Sequence, residues 1–370
     1  MSSQKTINVL CEMLYQHDLK TFLSGGGERY ALDFIKLLRK MGYYINVYQF
    51  SHDKRVVRYK NQKINGIGNI KKDKKYDECK LDGLKYFKEQ SKNVDGVFLL
   101  SMNLAEIKYD VPTLTVSHGI WWDCYDDRPT LGYGMMQMMK KWIENVDYCV
   151  SVDTNSIHAM QICNPVESKK MTYIPNYVDL DIFKPKPKKY DDRLKVLIPR
   201  RIDPARGYHI GAYAAVELSK KYKDIDFVFC GKGHPTHEDN LHKIIEGYDN
   251  ITHISSELEN MHKIYDDFHI SWTPTIKAEG TSLSVLESLA SGVVPIVTTI
   301  GGLTDLVSNM NNGIVIQPDS IENLIMATEY LYENREMLVR MRELGLRMIE
   351  PFNKERWENQ LSQICNLIYK

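Results

Sequence analysis

Short apolar runs recur along the chain, each followed by a segment with helical spacing. TINVLCEML (6–14) reads as a first buried strand, and residues 27–41 as a helix with Tyr30, Phe34, Leu37 and Leu38 on one face. YYINVYQF (43–50), GVFLLSM (96–102), TLTVSH (113–118) and DYCVSV (147–152) read as further strands. The pattern then restarts. LKVLIP (194–199) is a strand, HIGAYAAVELSKKY a helix and IDFVFCG a strand, with HISW (269–272), VVPIVTT (293–299) and GIVIQP (313–318) beyond them. Such alternation predicts an α/β chain built from two mostly parallel, doubly wound sheets.

Residues 174–192 carry three prolines and a run of charge. We therefore expect a first domain over 1–176, a linker over 177–192 and a second domain over 193–352. The tail, 353–370, predicts an amphipathic helix with Trp357, Leu361, Ile364 and Ile368 on one face. That face must cover an apolar surface, which either domain could supply, packing back on the first being one option.

Composition narrows the class. A chain of 370 residues is too long for one ordinary core. Lys plus Arg and Asp plus Glu are both 48, so no global field points to nucleic acid. Seven cysteines at irregular spacing, with no C-x-x-C pair, argue for reduced thiols rather than a disulfide framework or a zinc site. No leader and no run of 18 apolar residues is visible, so a cytoplasmic location is expected, with any membrane contact peripheral. Residues 54–75 hold nine Lys or Arg against one acidic residue, and MMQMMKKWI (135–143) mixes Met and Trp with two lysines. These read either as a contact for an anionic membrane or as a solvated loop and a buried helix face.

Four stretches carry candidate chemistry. SGGGERYALDF (24–34) puts glycines before a helix, where free amides and the helix dipole suit an anion. It fails the dinucleotide fingerprint, because Tyr30 stands at the third glycine. LIPRRIDPARGYH (197–209) places Arg200, Arg201 and Arg206 around a turn after a strand, where a guanidinium fork can grip phosphate. His118 closes a strand in TVSHGIWWDCYDDRP. Each has a plain alternative: a flexible loop, a solvated basic turn and a hydrogen-bonded structural histidine. In KAEGTSLSVLESLASG (277–292), Glu279 precedes a helix start and Glu287 lies inside it. Ser284-Val285-Leu286-Glu287 also fits a capping box, which would make Glu287 a cap and Glu279 a solvated loop residue.

Together and in order, these pieces resemble a retaining glycosyltransferase of the GT-B fold, in family four (glycosyl transferases group 1). SGGGER resembles the glycine loop, IPNYVDLDIFKP the interdomain signature and RRIDPARG the diphosphate-clamp turn. AEGTSLSVLESLASGVVPIVTTIGGLTDLV resembles the most specific block, with its two glutamates separated by seven intervening residues. The resemblance implies two Rossmann-like domains facing across a cleft and no obligatory cofactor, with magnesium stimulation left open. The substrates it implies are a nucleoside-diphosphate sugar, UDP-linked before GDP-linked, and a glycan or lipid-linked acceptor. It implies that Glu287 holds the ribose, Glu279 faces the sugar, and Gly280, Thr281, Ser282 and Leu283 offer helix-start amides to the diphosphate. Arg201 and Arg206 would grip that diphosphate, Gly25 and Gly26 would approach it, and His118 would line the sugar pocket. The sequence departs at Arg206, where lysine is usual, and at Tyr177, where glycine usually follows asparagine. Asp179-Leu180-Asp181 matches a metal-binding D-x-D only superficially, since it falls inside the interdomain signature. Rival readings are a nucleotide-sugar epimerase or phosphorylase, and a non-catalytic nucleotide-sugar sensor.

Overall fold

The structure, a computed structural model, describes residues 4–23, 25–120, 122–125, 129–190, 193–255 and 260–370. Ser24 of the glycine loop, Trp121 and residues 191–192 thus lie outside the described residues. The chain divides into two compact units. One comprises Met1–His118, Tyr125–Pro175 and Trp357–Lys370, and the other Gly119–Cys124 and Asn176–Arg356.

The first unit is built on β1 (Thr6–Cys11), β2 (Tyr44–Gln49), β3 (Val56–Tyr59), β4 (Gln62–Gly66), β5 (Gly96–Leu99), β6 (Thr113–Ser117), β7 (Tyr148–Ser151) and β8 (Met171–Tyr173). Its helices are α1 (Gly26–Lys40), α2 (Tyr76–Gln90), α3 (Pro129–Glu144) and α4 (Thr154–Cys163). The sheet order is β3-β4-β2-β1-β5-β6-β7-β8, with every pairing parallel except β3 with β4. The central strands read as continuous apolar runs because helices cover both faces of such a sheet. β5 and β6 are buried at every position.

The β3–β4 hairpin lies inside the basic segment that the sequence reading treated as loop. Its turn uses Lys60 at φ 51°, where a glycine or asparagine would have signalled a hairpin. Its cations point outward: Lys54, Arg55, Arg58, Lys60 and Lys63 are all exposed. In α3, Met139, Trp142 and Ile143 are buried while Met138 is exposed. The Met-rich stretch therefore gives Met139, Trp142 and Ile143 to the core and leaves the rest partly or fully exposed.

The second unit carries β9 (Leu194–Ile198), β10 (Ile225–Cys230), β11 (Ile251–Ile254), β12 (Ile270–Thr273), β13 (Val294–Thr298) and β14 (Ile314–Ile316). Its helices are α5 (Tyr208–Lys221), α6 (Pro235–Ile245), α7 (Met261–Tyr265), α8 (Leu283–Ala290), α9 (Ile321–Glu333) and α10 (Arg335–Met348). The sheet is all parallel, in the order β11-β10-β9-β12-β13-β14. Alternate side chains leave a strand on opposite faces. Accordingly Val196 joins one apolar cluster with α5 and α9, and Leu197 joins another with α7 and α8.

The stretch between the domains is tied down on this unit. Val178 donates its N–H to Phe352 O at 2.9 Å, and Phe183 is buried. The Lys188 ammonium donates to Tyr265 O at 3.0 Å at the end of α7. Asp179 Oδ1 accepts the N–H of Asp181 at 3.0 Å, so the D-x-D forms a local turn. The last helix, α11 (Lys354–Ile368), buries Trp357, Leu361, Ile364 and Cys365. Within the first unit its Trp357 ring meets Tyr30 edge-on at 5.2 Å, and the Tyr369 hydroxyl beyond it donates to Val97 O at 2.7 Å. No helix among the described residues is long and apolar enough to cross a membrane.

Candidate functional site

The second sheet reverses its strand order between β9 and β12, which pair although β10 and β11 intervene in the chain. In an open α/β sheet, ligands settle outside the carboxyl ends of the strands at such a reversal. Two loops leave the sheet there. One follows β9 and carries Arg200, Arg201 and Arg206. The other follows β12, carries Glu279 and runs into α8.

Glu279 is only 8% exposed. Its Oε2 accepts from Arg200 Nη2, from Arg206 Nη1 at 3.1 Å and from Thr275 Oγ1 at 3.1 Å. Its Oε1 accepts no bond from the described residues. Burying a carboxylate is costly unless it has such partners. Pinning one oxygen with three donors orients the other as a free acceptor.

Arg200 ties the two loops together. Its Nη1 donates to Ser282 Oγ and Ser284 Oγ, each at 3.1 Å, and its Nη2 donates to Thr275 Oγ1 at 2.9 Å. Burial pushes this guanidinium below its ordinary value, and Glu279 beside it pulls the other way. Arg206 also donates to Ala278 O at 2.6 Å, while its Nε and Nη2 meet no partner among the described residues. Two guanidiniums against one carboxylate leave positive charge beside the first turn of α8, where the helix dipole has the same sign.

Backbone contacts cage the Glu279 loop. Ala278 has a left-handed φ of 57°, and its N–H donates to both Asp123 carboxylate oxygens, at 3.1 and 3.0 Å. Asn176 Nδ2 donates to Thr281 O at 2.9 Å. A Cβ on Gly301 (φ 53°) would lie 2.0 Å from Glu279 O, and one on Gly119 (φ 131°) would lie 2.6 Å from Gly280 N. Both positions therefore require glycine, for conformation and for room.

The capping box does not form. Helix α8 begins at Leu283 with Ser282 as its N-cap, and no side chain caps it. Ser284 is then already inside the helix, and Glu287, a turn further on, is too far along to reach back to the cap. Glu287 is 8% exposed instead, and its Oε2 accepts from the Tyr265 hydroxyl at 3.4 Å. With no cap spending them, the first amides of α8 are free of intrahelical partners.

The structure thus brings together Glu279, Gly280, Thr281, Ser282, Leu283 and Arg206 and places Glu287 in the same helix. Arg201 differs: it is exposed and makes no hydrogen bond or ion pair among the described residues. Thr275, Asp123 and Asn176 were not singled out from the sequence, and Arg200 was named there only as one of three arginines of the basic turn, with no role of its own. A signal for Arg200 did exist, since it shares alternation parity with the buried Ile198 and Ile202 while Arg201 does not.

His118, Gly25 and Gly26 belong to the first unit. The His118 Nε2–H donates to Leu100 O at 2.8 Å, with Tyr30 edge-on at 5.1 Å. Burial pushes its pKa down to about 4, so the ring is neutral at pH 7 with Nδ1 unprotonated. Gly25 caps α1, and the Glu28 carboxylate lies against it, so that a Cβ there would be 2.5 Å from Glu28 Oε2. A carboxylate thus already sits at this helix start, where the sequence reading placed a diphosphate.

Two α/β units with doubly wound parallel sheets define the GT-B class of fold. The chain is similar over 99% of its length, and 99% of the other chain, to sucrose-phosphate synthase from Thermosynechococcus elongatus, with TM-score 0.81 at 16% identity. It is similar over 98% of its length, and 100% of the other, to Anabaena HepE in complex with UDP and glucose, with TM-score 0.75 at 12% identity. At these identities the likeness is one of fold. Residues 179–348 match the model of the family described as glycosyl transferases group 1. An uncharacterised glycosyltransferase of Haemophilus influenzae is 28% identical over 142 residues, which is 38% of this chain. The match spans 39% of that relative's length.

Proposed function

We propose that the protein is a glycosyltransferase that moves a sugar from a nucleoside-diphosphate sugar to a hydroxyl of a glycan or glycolipid acceptor, with retention of anomeric configuration. The observation that carries this is the Glu279 carboxylate at the strand-order reversal. One oxygen is fixed by two arginines and a threonine, the other is free, and uncapped helix amides follow.

In this reading the free Glu279 oxygen accepts a hydroxyl of the donor sugar, and the amides of Gly280 to Leu283 meet the diphosphate. The open Nε–H and Nη2–H of Arg206 add charge-assisted bonds, with Arg201 beside them, and Glu287 holds the ribose hydroxyls. His118, Gly25 and Gly26 are the first unit's contributions. The costly step is departure of the diphosphate as positive charge builds on the sugar. Donors fixed in advance where negative charge grows lower that barrier. Attack from the same face, with the leaving phosphate taking the acceptor's proton, keeps the configuration. No obligatory metal is invoked.

UDP is the favoured carrier, a preference supported by the HepE structure with UDP and glucose bound. A hexose donor and a role in cell-surface polysaccharide or glycolipid synthesis complete the proposal. The exposed cations of the β3–β4 hairpin support peripheral contact with an anionic membrane. The test is release of nucleoside diphosphate from UDP-hexose, with and without glycan acceptors, and the anomeric configuration of the product by NMR. Acceptor-dependent release with a retained anomer supports the proposal. Binding without turnover favours a sensor, and inversion removes same-face attack.

A further inference from the structure

We infer that Arg200 is a positioning residue, which sets the Glu279 carboxylate and the opening turn of α8 in one geometry for the sugar end of the donor. This rests on the donor-site reading above.

Three observations lead to it. Arg200 sits at the carboxyl end of β9, and its two terminal nitrogens reach four side chains of the neighbouring loop and helix: Thr275, Glu279, Ser282 and Ser284. These residues span the break in strand order, so one planar fork fixes the strand-end loop to the helix start. Second, the Arg200 and Glu279 side chains are each about 10% exposed. In so dry a place a guanidinium–carboxylate pair is directional and weakly screened. Third, the division of labour is visible atom by atom. Arg206 and Glu279 each keep groups without a protein partner, whereas both terminal nitrogens of Arg200 are spent on protein and only its buried Nε has no partner among the described residues. The groups left over on Arg206 and Glu279 are therefore the ones offered to a ligand, and Arg200 holds them in place from behind. Lysine cannot replace it, because a single ammonium lacks the planar fork needed to span two serines on one side and Thr275 with Glu279 on the other.

The consequence is a separation between the two ends of the donor. Arg200 supports the sugar-facing carboxylate, while the nucleoside end is held by Glu287. Loss of the fork should weaken what the sugar adds to binding, and slow transfer, more than it weakens binding of nucleoside diphosphate.

The experiment uses the full chain, with Arg200→Gln and Arg200→Lys, titrated with UDP and with UDP-glucose by calorimetry and assayed for kcat and KM. The expected result is UDP affinity within roughly threefold of wild type, loss of the extra affinity that the glucose contributes, and kcat lower by roughly ten- to a hundredfold in both variants, the range set by one charged hydrogen bond. Unchanged kcat and unchanged discrimination between UDP-glucose and UDP would overturn the inference. Equal loss of both ligands would also overturn it, making Arg200 a phosphate clamp. If either variant fails to fold by its thermal transition, Thr275→Val and Ser284→Ala loosen the same fork from its partners. They should lower kcat/KM by roughly three- to tenfold at constant UDP affinity, and no effect in both would count against positioning. Wild-type protein that binds neither ligand would instead remove the donor-site reading, and the inference with it.

Discussion

Substituting Gly301 tests whether the backbone around Glu279 is as tightly caged as the geometry indicates. Gly301 has φ 53°, and an added Cβ would lie 2.0 Å from the Glu279 carbonyl oxygen. Gly247 supplies the control, because it also has positive φ, 84°, but nothing lies within 4 Å of its added Cβ. An alanine at either site meets the left-handed strain of roughly 1–2 kcal/mol. Only Gly301→Ala must also push a backbone oxygen away by about 1 Å before the contact is tolerable, which resembles overpacking at roughly 1–3 kcal/mol. For a unit of this size, 1 kcal/mol is about 2–4 °C in Tm. Gly247→Ala should therefore lower Tm by roughly 2–8 °C, and Gly301→Ala by roughly 2–12 °C more. The displaced carbonyl belongs to Glu279 itself, so its carboxylate should leave its place, and a shift of that order costs on the order of a hundredfold in rate. Thermal unfolding of both variants, with kcat/KM on UDP-glucose, reads both effects. Equal Tm losses in the two variants, with Gly301→Ala as active as wild type, would refute the caging argument.

Other predictions follow from single contacts. Arg206→Ala removes bonds to Ala278 O and Glu279 together with the free guanidinium atoms, and should lower kcat/KM by roughly ten- to a hundredfold, measured by nucleoside-diphosphate release. Burial holds the His118 pKa near 4 against an ordinary 6.5, so between those pH values the unfolded chain takes up a proton that the folded unit refuses. The stability linked to His118 is then complete above about pH 6.5 and lost as pH falls toward 4; unfolding curves across that window should show the limb, and His118→Asn should flatten it. Ser320 caps α9 by accepting the Asn323 N–H at 3.1 Å, so Ser320→Ala should lower stability by about 1 kcal/mol in a denaturant titration. Lys54, Arg55, Arg58 and Lys63 are exposed on and beside the β3–β4 hairpin, so reversing them to Glu should abolish co-sedimentation with vesicles containing anionic lipid. Wild type that ignores such vesicles would remove the membrane proposal.

Much of the fold was legible because buried parallel strands leave unbroken apolar runs. TLTVS, YCVS, LKVLI and VPIVT were each found within a residue of their observed ends, and GVFL was found from its first residue but read three residues too long. The β3–β4 hairpin was not legible, because its strands are short and lysine-bearing and its left-handed turn residue is Lys60. Helix α2 was missed because its apolar residues, such as Leu84 and Phe87, are spaced among seven charged ones. At the site, the sequence marked Glu279, Glu287 and the arginine turn. It also offered a capping box for Glu287, which pattern alone could not dismiss; the helix starts two residues too early for that box. The neighbouring arginines illustrate the remaining gap. Arg200 and Arg201 are alike in type, and only the turn of the chain after β9 buries one against Glu279 and leaves the other in solvent. Asp123 gave no signal at all, since its bond to the Ala278 N–H depends on a contact over 155 residues of sequence.

The central claim is that the crevice between β9 and β12 holds a nucleoside-diphosphate sugar. Thermal-shift titration with UDP, GDP, ADP and dTDP, on wild type and on Glu287→Ala, tests it most directly, because a ligand of the folded state alone raises apparent stability. The account predicts a saturable rise in Tm with one nucleotide, UDP before the others, and its loss in Glu287→Ala. No shift with any of the four, or a shift that survives intact in Glu287→Ala, would contradict it.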